Sequence, residues 1–390
     1  MTENTTQHES PFPWELGVHD AHCHPTDTMT SITEIPQMKA TTLTIMATRG
    51  EDQDLVAQVA NSLGKDKLAD TQKQERVIPC FGWHPWFSHQ IILDDLASSD
   101  LSSTDKKRTH YNKVLTPSPD DEGFISALPD PKPLSQFISE TRERLLAYPS
   151  ALVGEIGLDR SFRLPNPWTQ EEIKNRDESL TPGSREGRSL SLYRVHMDHQ
   201  KAVLRAQLRL AGELHRAVSI HSVQAHGVVF DVLKELWSGY ERKRPSRRER
   251  TRRRSAELAH AGSDLEDDEN HLSEPTKQPP LPFPPRICMH SYSGPPDPIK
   301  QFLRRENPSD VYFSFSSVIN FSGPSAQKVI DTIKALPDDR VLIESDLHTA
   351  GPVMDGMLEE VARNICKLRG WPLREGVQRL ADNWKRFALG

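Results

Sequence analysis

Six residues scattered along the chain carry side chains suited to divalent cations: His22, His24, Glu155, His221, His290 and Asp346. His22 and His24 are two apart. Alternate side chains of a strand point to one side, so both imidazoles can aim at one point. Neutral imidazole nitrogen is the commonest metal donor, and a carboxylate behind it can fix its tautomer. Asp20, two residues before His22, is expected on the same face for that purpose. Each residue alone has a plainer reading. An H-x-H is a weak motif, His221 and His290 read as core histidines, and Asp346 reads as a helix N-cap. Glu155 is harder to set aside, because a carboxylate in a buried strand needs a partner. Together, four imidazoles and two carboxylates make a ligand set for two divalent ions. Zn, Mn and Mg all fit the donor types. Two ions roughly 3.5–4 Å apart acidify a shared water and clamp the attacking and leaving oxygens of a phosphodiester. Glu155 is the carboxylate to bridge the ions. Asp346 is the one to hold a metal and take a proton as general base.

Eight short apolar runs are placed to position these groups: 14–24, 41–48, 76–84, 151–159, 217–222, 286–291, 311–318 and 340–346. Between them lie stretches of helical spacing, at 54–63, 134–148, 190–216, 225–236, 297–305, 325–336, 354–368 and 373–388. Eight βα units predict a closed (β/α)8 TIM barrel, with a doubly wound open sheet as the alternative. No Gly-rich nucleotide motif follows any strand. In a barrel the C-terminal strand ends surround one mouth, and the six residues fall at those ends. Pro79 inside the third run weakens it as a strand, since proline removes a ladder donor.

Composition bounds the rest. At 390 residues the chain can bury a sizeable core, and a formal charge of −6 neither favours nor excludes nucleic acid. Thirty prolines and a mean hydropathy of −0.62 indicate polar insertions around an ordinary core. Residues 1–13 read as a disordered tail ahead of one barrel domain over 14–390. Insertions are expected at about 93–131 and 165–188, both read as polar loops, and at 239–285, read as disordered. The last opens with nine Lys or Arg in 242–254 and turns acidic at 264–269. The basic run could serve as a nuclear-localisation or nucleic-acid patch, or as a solvated insertion. Cys23, Cys80, Cys288 and Cys366 lack C-x-x-C spacing and read as reduced core thiols, with Cys23 facing away from the flanking histidines. No apolar run reaches the ~20 residues of a membrane span. A cytoplasmic or nuclear location is expected.

The motifs Asp20-Ala21-His22-Cys23-His24, Gly154-Glu155-Ile156-Gly157-Leu158-Asp159, Ile220-His221-Ser222, His290-Ser291-Tyr292-Ser293-Gly294 and Glu344-Ser345-Asp346 resemble those of the TatD family of metal-dependent deoxyribonucleases, within the amidohydrolase-like barrels. Asn383 fits the family's closing helix. The resemblance runs from about 15 to 389, apart from the insertions. It implies a TIM barrel, metal ligation by the six residues, and hydrolysis of phosphodiester bonds in DNA.

Three stretches depart from the family pattern. Val223-Gln224 follow Ser222 where the family has an Arg, and Leu347-His348-Thr349 follow Asp346 where it has Pro and Tyr. The stretch 160–165 also differs from the bacterial pattern. Together with Gly82-Trp83-His84-Pro85-Trp86-Phe87, it resembles a fungal branch described as binding a subunit of the anaphase-promoting complex. The metal ligands are thus intact while their surroundings have changed. A protein-interaction scaffold with a vestigial or structural metal site, and an amidohydrolase acting on C–N or ester bonds, are therefore alternatives to a nuclease. His84, His348 and Arg160 are candidates to contact substrate, and Arg163 joins Arg160 as a candidate phosphate contact.

Overall fold

A computed structural model describes residues 10–63, 76–243, 279–322 and 326–390. Eight parallel strands pair in sequence order: β1 His19–Cys23, β2 Thr42–Met46, β3 Val77–Phe81, β4 Leu152–Asp159, β5 Val218–Val223, β6 Arg286–Met289, β7 Asp310–Phe315 and β8 Val341–Ile343. The last strand meets the first. Asp346 N donates to the His22 carbonyl at 3.0 Å and His24 N to the Leu347 carbonyl at 2.8 Å. The expected barrel is what forms. Its strands are apolar on both faces because one face lines the barrel and the other lies under helices. Pro79 keeps its place in β3, opposite Ile45.

The core has two layers. Ala21, Met46, Cys80, Leu152, Cys288, Tyr312 and Leu342 fill the barrel interior together with Trp384 and Phe387. The latter two come from the helix Leu373–Ala388. Asn383 Nδ2 ties that helix to β8 by donating to the carbonyls of Asp338 and Val341. Outside the strands, Val56, Val59, Leu204, Leu208, Val229, Leu233, Val361 and Ile365 pack the surrounding helices onto the sheet. Cys23 lies in this outer layer, so it does face away from the histidines. All four cysteines are buried and unpaired.

The polar stretches differ from their reading as loose loops. Within 93–131, the helices Ser103–Val114 and Glu122–Ala127 form a small core of Tyr111, Val114, Leu115, Phe124 and Ile125 with Leu164 and Val195. The Ser and Asp residues that suggested a loop include the caps. Ser102 accepts from Asp105 N, and Asp121 from Gly123 N and Phe124 N. Within 165–188, Thr169 and Glu172 close a capping box on the helix Gln170–Lys174.

The helix expected over 190–216 spans only Met197–Glu213. Arg194–Val195 instead pairs antiparallel with Leu115–Thr116, so Val195 is buried by the insertion, while Leu192 is exposed. Residues 10–13, expected in a disordered tail, are placed, with Phe12 edge-on to Trp14 at 4.8 Å. Residues 1–9 and 244–278, which hold most of the tail and of the basic insertion, lie outside the described residues.

Candidate metal centre

All six expected ligands meet at the barrel mouth, and Glu155 is their centre. Its Oε2 lies 3.3 Å from His22 Nε2 and 3.3 Å from His24 Nε2. Its Oε1 lies 2.9 Å from His221 Nδ1, 3.3 Å from His290 Nε2 and 3.1 Å from His84 Nε2. Asp346 Oδ1 closes the Oε2 side, 3.6 Å from His24 Nε2 and 4.0 Å from His22 Nε2. One carboxylate therefore addresses two clusters, one with each oxygen. His22, His24 and Asp346 form one compact group of donor atoms. His84, Glu155 and His221 form a second, and His22, His290 and Glu344 a third.

Local chain geometry brings these groups together. Glu155 and His221 lie inside β4 and β5, not at their ends, because the ladder between the two strands extends to Asp159 and Val223. That extension needs Gly157. Its φ is +151°, and a Cβ there would sit 2.0 Å from the His221 carbonyl oxygen. Asp346 also has a left-handed φ, +56°, which aspartate tolerates better than most residues.

The second nitrogen of each imidazole decides what the first can do. His221 Nε2 is 3.1 Å from Asp159 Oδ2, and His290 Nδ1 is 3.1 Å from Glu344 Oε1. A carboxylate accepts only, so each of those nitrogens carries a proton, and in the neutral ring that metal binding requires the other nitrogen turns its lone pair toward Glu155. His84 is the reverse. Its Nδ1 accepts from Trp86 N at 3.2 Å, so the neutral ring carries its proton on Nε2 and donates to Glu155 Oε1. In this tautomer His84 joins the site as a hydrogen-bond donor, with its Nε2 inside the second group of candidate ligand atoms. His22 Nδ1 rests 2.8 Å from Ser219 Oγ.

Asp20 does not take the role expected of it. Its Oδ1 accepts from His22 N and Ser345 N, both at 3.0 Å, and its Oδ2 from Ser345 Oγ, so it stitches β1 to β8. The reason is a register shift in β1 between Asp20 and Cys23, which breaks strict alternation. Burial pushes the Asp20 carboxyl up to about 7.

The charges show what the site is built for. Burial alone would raise the Glu155 carboxyl, but His84, His22 and His290 outweigh it and hold it well below the usual range. Burial disfavours the imidazolium of His24 and of His290. The carboxylates around them more than compensate, raising His24 to about 9 and His290 well above its ordinary value. His22, deepest and next to His290, is lowered. Burial takes His84 down to about 4, in keeping with a neutral donor. His22 Nε2 and His24 Nε2 face each other at 3.0 Å, and Glu344 Oε2 is buried without a hydrogen-bond partner. Nitrogen and carboxylate donors grouped this closely could hold divalent metal ions.

The remaining candidates divide. His348 stands over His24, ring centroids 5.3 Å apart, with Nδ1 2.7 Å from Asp27 Oδ2. Asp27 also takes Arg49 Nη2 at 2.8 Å. Arg49 is 1 % exposed, and its side chain makes four further hydrogen bonds, to Asp52, Thr48 and the carbonyls of Pro182 and Thr181. It thereby pins the 165–188 insertion beside His24. Arg160 and Arg163 are exposed on the turn after β4, and neither guanidinium makes an ion pair among the described residues. Asp159, Glu344, Ser219 and Arg49 support the site without being among the residues expected there. Even spacing was a usable signal for two of them: Asp159 is four from Glu155, and Glu344 two from Asp346.

Comparison with known proteins agrees with this architecture. The chain is 38 % identical over 369 residues to the Cut9-interacting protein scn1 of Schizosaccharomyces pombe, covering 94 % of this chain and 97 % of that one. It is 25 % identical over 339 residues to an uncharacterized deoxyribonuclease of Saccharomyces cerevisiae, covering 84 % and 86 %. Among solved structures, an uncharacterized amidohydrolase from Saccharomyces cerevisiae shares the fold, with a TM-score of 0.50 at 12 % identity over 97 % of this chain and 100 % of that one. The model of the TatD related DNase family matches residues 19–388, and the chain belongs to that family.

Proposed function

We propose that this protein is a metal-dependent hydrolase of phosphodiester bonds, with DNA as its substrate. The observation that carries the reading is the Glu155 carboxylate, which presents one oxygen to each of two donor clusters. His22, His24 and Asp346 would hold one divalent ion with Glu155, and His221 and His290 the other. Bound ions would supply Lewis acidity toward a phosphoryl oxygen and acidify a nearby water.

The chain's own groups do the rest. Asp346, with a side chain 16 % exposed and open to the mouth, takes the proton from the attacking water. Asp159 and Glu344 hold His221 and His290 in the tautomers that leave lone pairs facing Glu155. His84 offers its Nε2–H at the same edge of the site, where a substrate oxygen can replace Glu155 as acceptor. His348, above His24, faces incoming substrate.

The test is cleavage of single-stranded and duplex DNA, beside a panel of small amides and carboxyl esters. The wild type is compared with His22→Ala and Asp346→Asn, asparagine being chosen because it tolerates the left-handed φ. DNA cleavage lost in both variants supports the reading. Turnover of amides alone would replace it with amidohydrolase chemistry.

A second role, in binding a protein partner, is supported by the 38 % identity to a protein named as Cut9-interacting. Co-precipitation with the corresponding partner, unaffected by Asp346→Asn, would place that role beside the hydrolase. No described helix is long and apolar enough to cross a membrane. Four buried, unpaired cysteines support a cytoplasmic or nuclear setting.

A further inference from the structure

The first insertion closes a cavity of about 260 Å³ against the start of the helix Met197–Glu213, and none of its lining residues belongs to the metal centre. His110 and Val114, four apart, share the buried face of the helix Ser103–Val114. Val114 lines the cavity with Leu93 and Leu96, and His110 and His199 contribute one imidazole from each of the two helices. The helices are tied together at this wall, where His196 N donates to the Val114 carbonyl at 2.8 Å.

Both imidazoles are buried, and both hold the turn Pro85–Gln90. His199 Nε2 donates to the Ser88 carbonyl at 2.9 Å, and His110 Nε2 to the His89 carbonyl at 2.7 Å. A carbonyl only accepts, so each Nε2 carries a proton. Burial takes His110 down to about 4, which keeps the ring neutral at pH 7 and leaves Nδ1 as a lone pair. His110 is 1 % exposed, and its Nδ1 has no partner among the described residues. A buried acceptor of this kind calls for a molecule that brings a hydrogen to it. Leu93, Leu96 and Val114 offer a water nothing, and suit an apolar body. Asp95, Lys113 and Asp198 stand at the rim, exposed and of both signs, and Asp198 is already paired with Lys201 at 2.6 Å. The rim therefore selects no ion.

We propose that this cavity is a second ligand site, for a small neutral molecule with a compact apolar body and one O–H or N–H donor, the chemistry of a phenol. The hydroxyl donates to His110 Nδ1, and the ring packs on Leu93, Leu96 and Val114. An apolar cavity of about 150 Å³ already admits a benzene ring, so the volume suffices. The occupant adjoins the two imidazoles that hold the Pro85–Gln90 turn, and Trp86 of that turn donates its N–H to His84 Nδ1. The site is thus one short turn from the metal centre while sharing none of its ligands. The inference stands apart from the hydrolase reading.

The test is a fluorine NMR titration of the full-length protein with 4-fluorophenol and with fluorobenzene, which differ by the hydroxyl alone. The wild type should bind 4-fluorophenol saturably. His110→Phe leaves the hydroxyl without an acceptor, so the affinity ratio of 4-fluorophenol to fluorobenzene should fall about ten-fold. Leu96 is half-buried, and Leu96→Trp should fill the cavity and abolish binding of both probes with His110 in place. That variant decides the matter if His110→Phe fails to fold, as judged by circular dichroism. Phenols also ligate metals, so Asp346→Asn is the control and should bind both probes as the wild type does. Absence of saturable binding, an unchanged ratio in folded His110→Phe, or binding that survives Leu96→Trp overturns the site. Loss of binding in Asp346→Asn places the probe at the metal centre and overturns it as well.

Discussion

Asp159 Oδ2 lies 3.1 Å from His221 Nε2, and that contact sets which nitrogen of His221 faces Glu155. Burial alone would raise the Asp159 carboxyl. Its hydrogen bonds to His221 and Trp86 and the charge of His221 pull it well below the usual range, so it is an anion throughout the neutral region. Asp159→Ala removes the anchor without touching a ligand. Loss of such a partner costs about 10–100-fold in metal affinity or activity. The expected result is that much weakening in a competitive metal titration, with an unchanged circular dichroism spectrum. Unaltered affinity would mean that His221 needs no support.

His84 and His290 make a paired prediction. Both rings sit about equally near Glu155 Oε1, at 3.1 and 3.3 Å, yet only His290 presents a lone pair. His290→Ala should lower the metal content of the purified protein. His84→Ala should leave the metal content unchanged and lower kcat by about 10²-fold, the lower range for loss of a positioned proton donor. Metal loss on His84→Ala would show that the ring flips and ligates.

Arg49 makes a stability prediction. Its charge is buried between Asp27 and Asp52, at 2.8 and 3.1 Å. Breaking a buried pair by removing one partner costs about 3–5 kcal/mol, because the other charge is left uncompensated. Arg49→Met should lose about that much in urea unfolding. It should also make the 165–188 segment more sensitive to protease, since its carbonyl contacts to Thr181 and Pro182 go with it. A loss under 1 kcal/mol would contradict the role given to this network.

His19 makes a pH prediction remote from the metals. Its ring stacks on Trp384 at 4.1 Å, and neither nitrogen has a hydrogen-bond partner. Burial, helped by Lys385, lowers its pKa to about 3. An unfolded histidine titrates near 6.5. Between about 6.5 and about 3 the unfolded chain therefore binds a proton that the folded chain refuses. This contribution to stability is present above 6.5 and is lost as pH falls, by up to about 1.4 kcal/mol per pH unit. His19→Phe should thus lose about 2 kcal/mol less than the wild type between pH 7 and pH 5 in paired denaturation curves. Parallel losses would show that His19 does not contribute.

The sequence carried the barrel and the ligands further than it carried their supports. Buried parallel strands write themselves as unbroken apolar runs, and a polar residue interrupting one stands out; Glu155 and His221 were legible for that reason. Asp20 misled because a register shift in β1 is invisible to a rule of alternation. The insertion at 93–131 looked structureless because its core is so small. Tyr111, Val114, Phe124 and Ile125 are few among charged residues, and its caps share the composition of loops. Arg49 and Ser219 could not be found from sequence at all. The contacts of Arg49 to Asp27, Thr181 and Pro182 and of Ser219 to His22 span 22 to 197 residues, and only the folded barrel brings those partners together.

The most direct measurement is the divalent-metal content per chain of the wild type and of Glu155→Ala, both dialysed against the same buffer. Glu155 reaches both clusters, one with each carboxylate oxygen, so the account predicts about two ions per wild-type chain, as in two-metal hydrolases, and about one or none in the variant. Cleavage should vanish with the missing ions. A wild-type chain that binds no divalent metal, or a Glu155→Ala chain that keeps its full complement, would contradict the account.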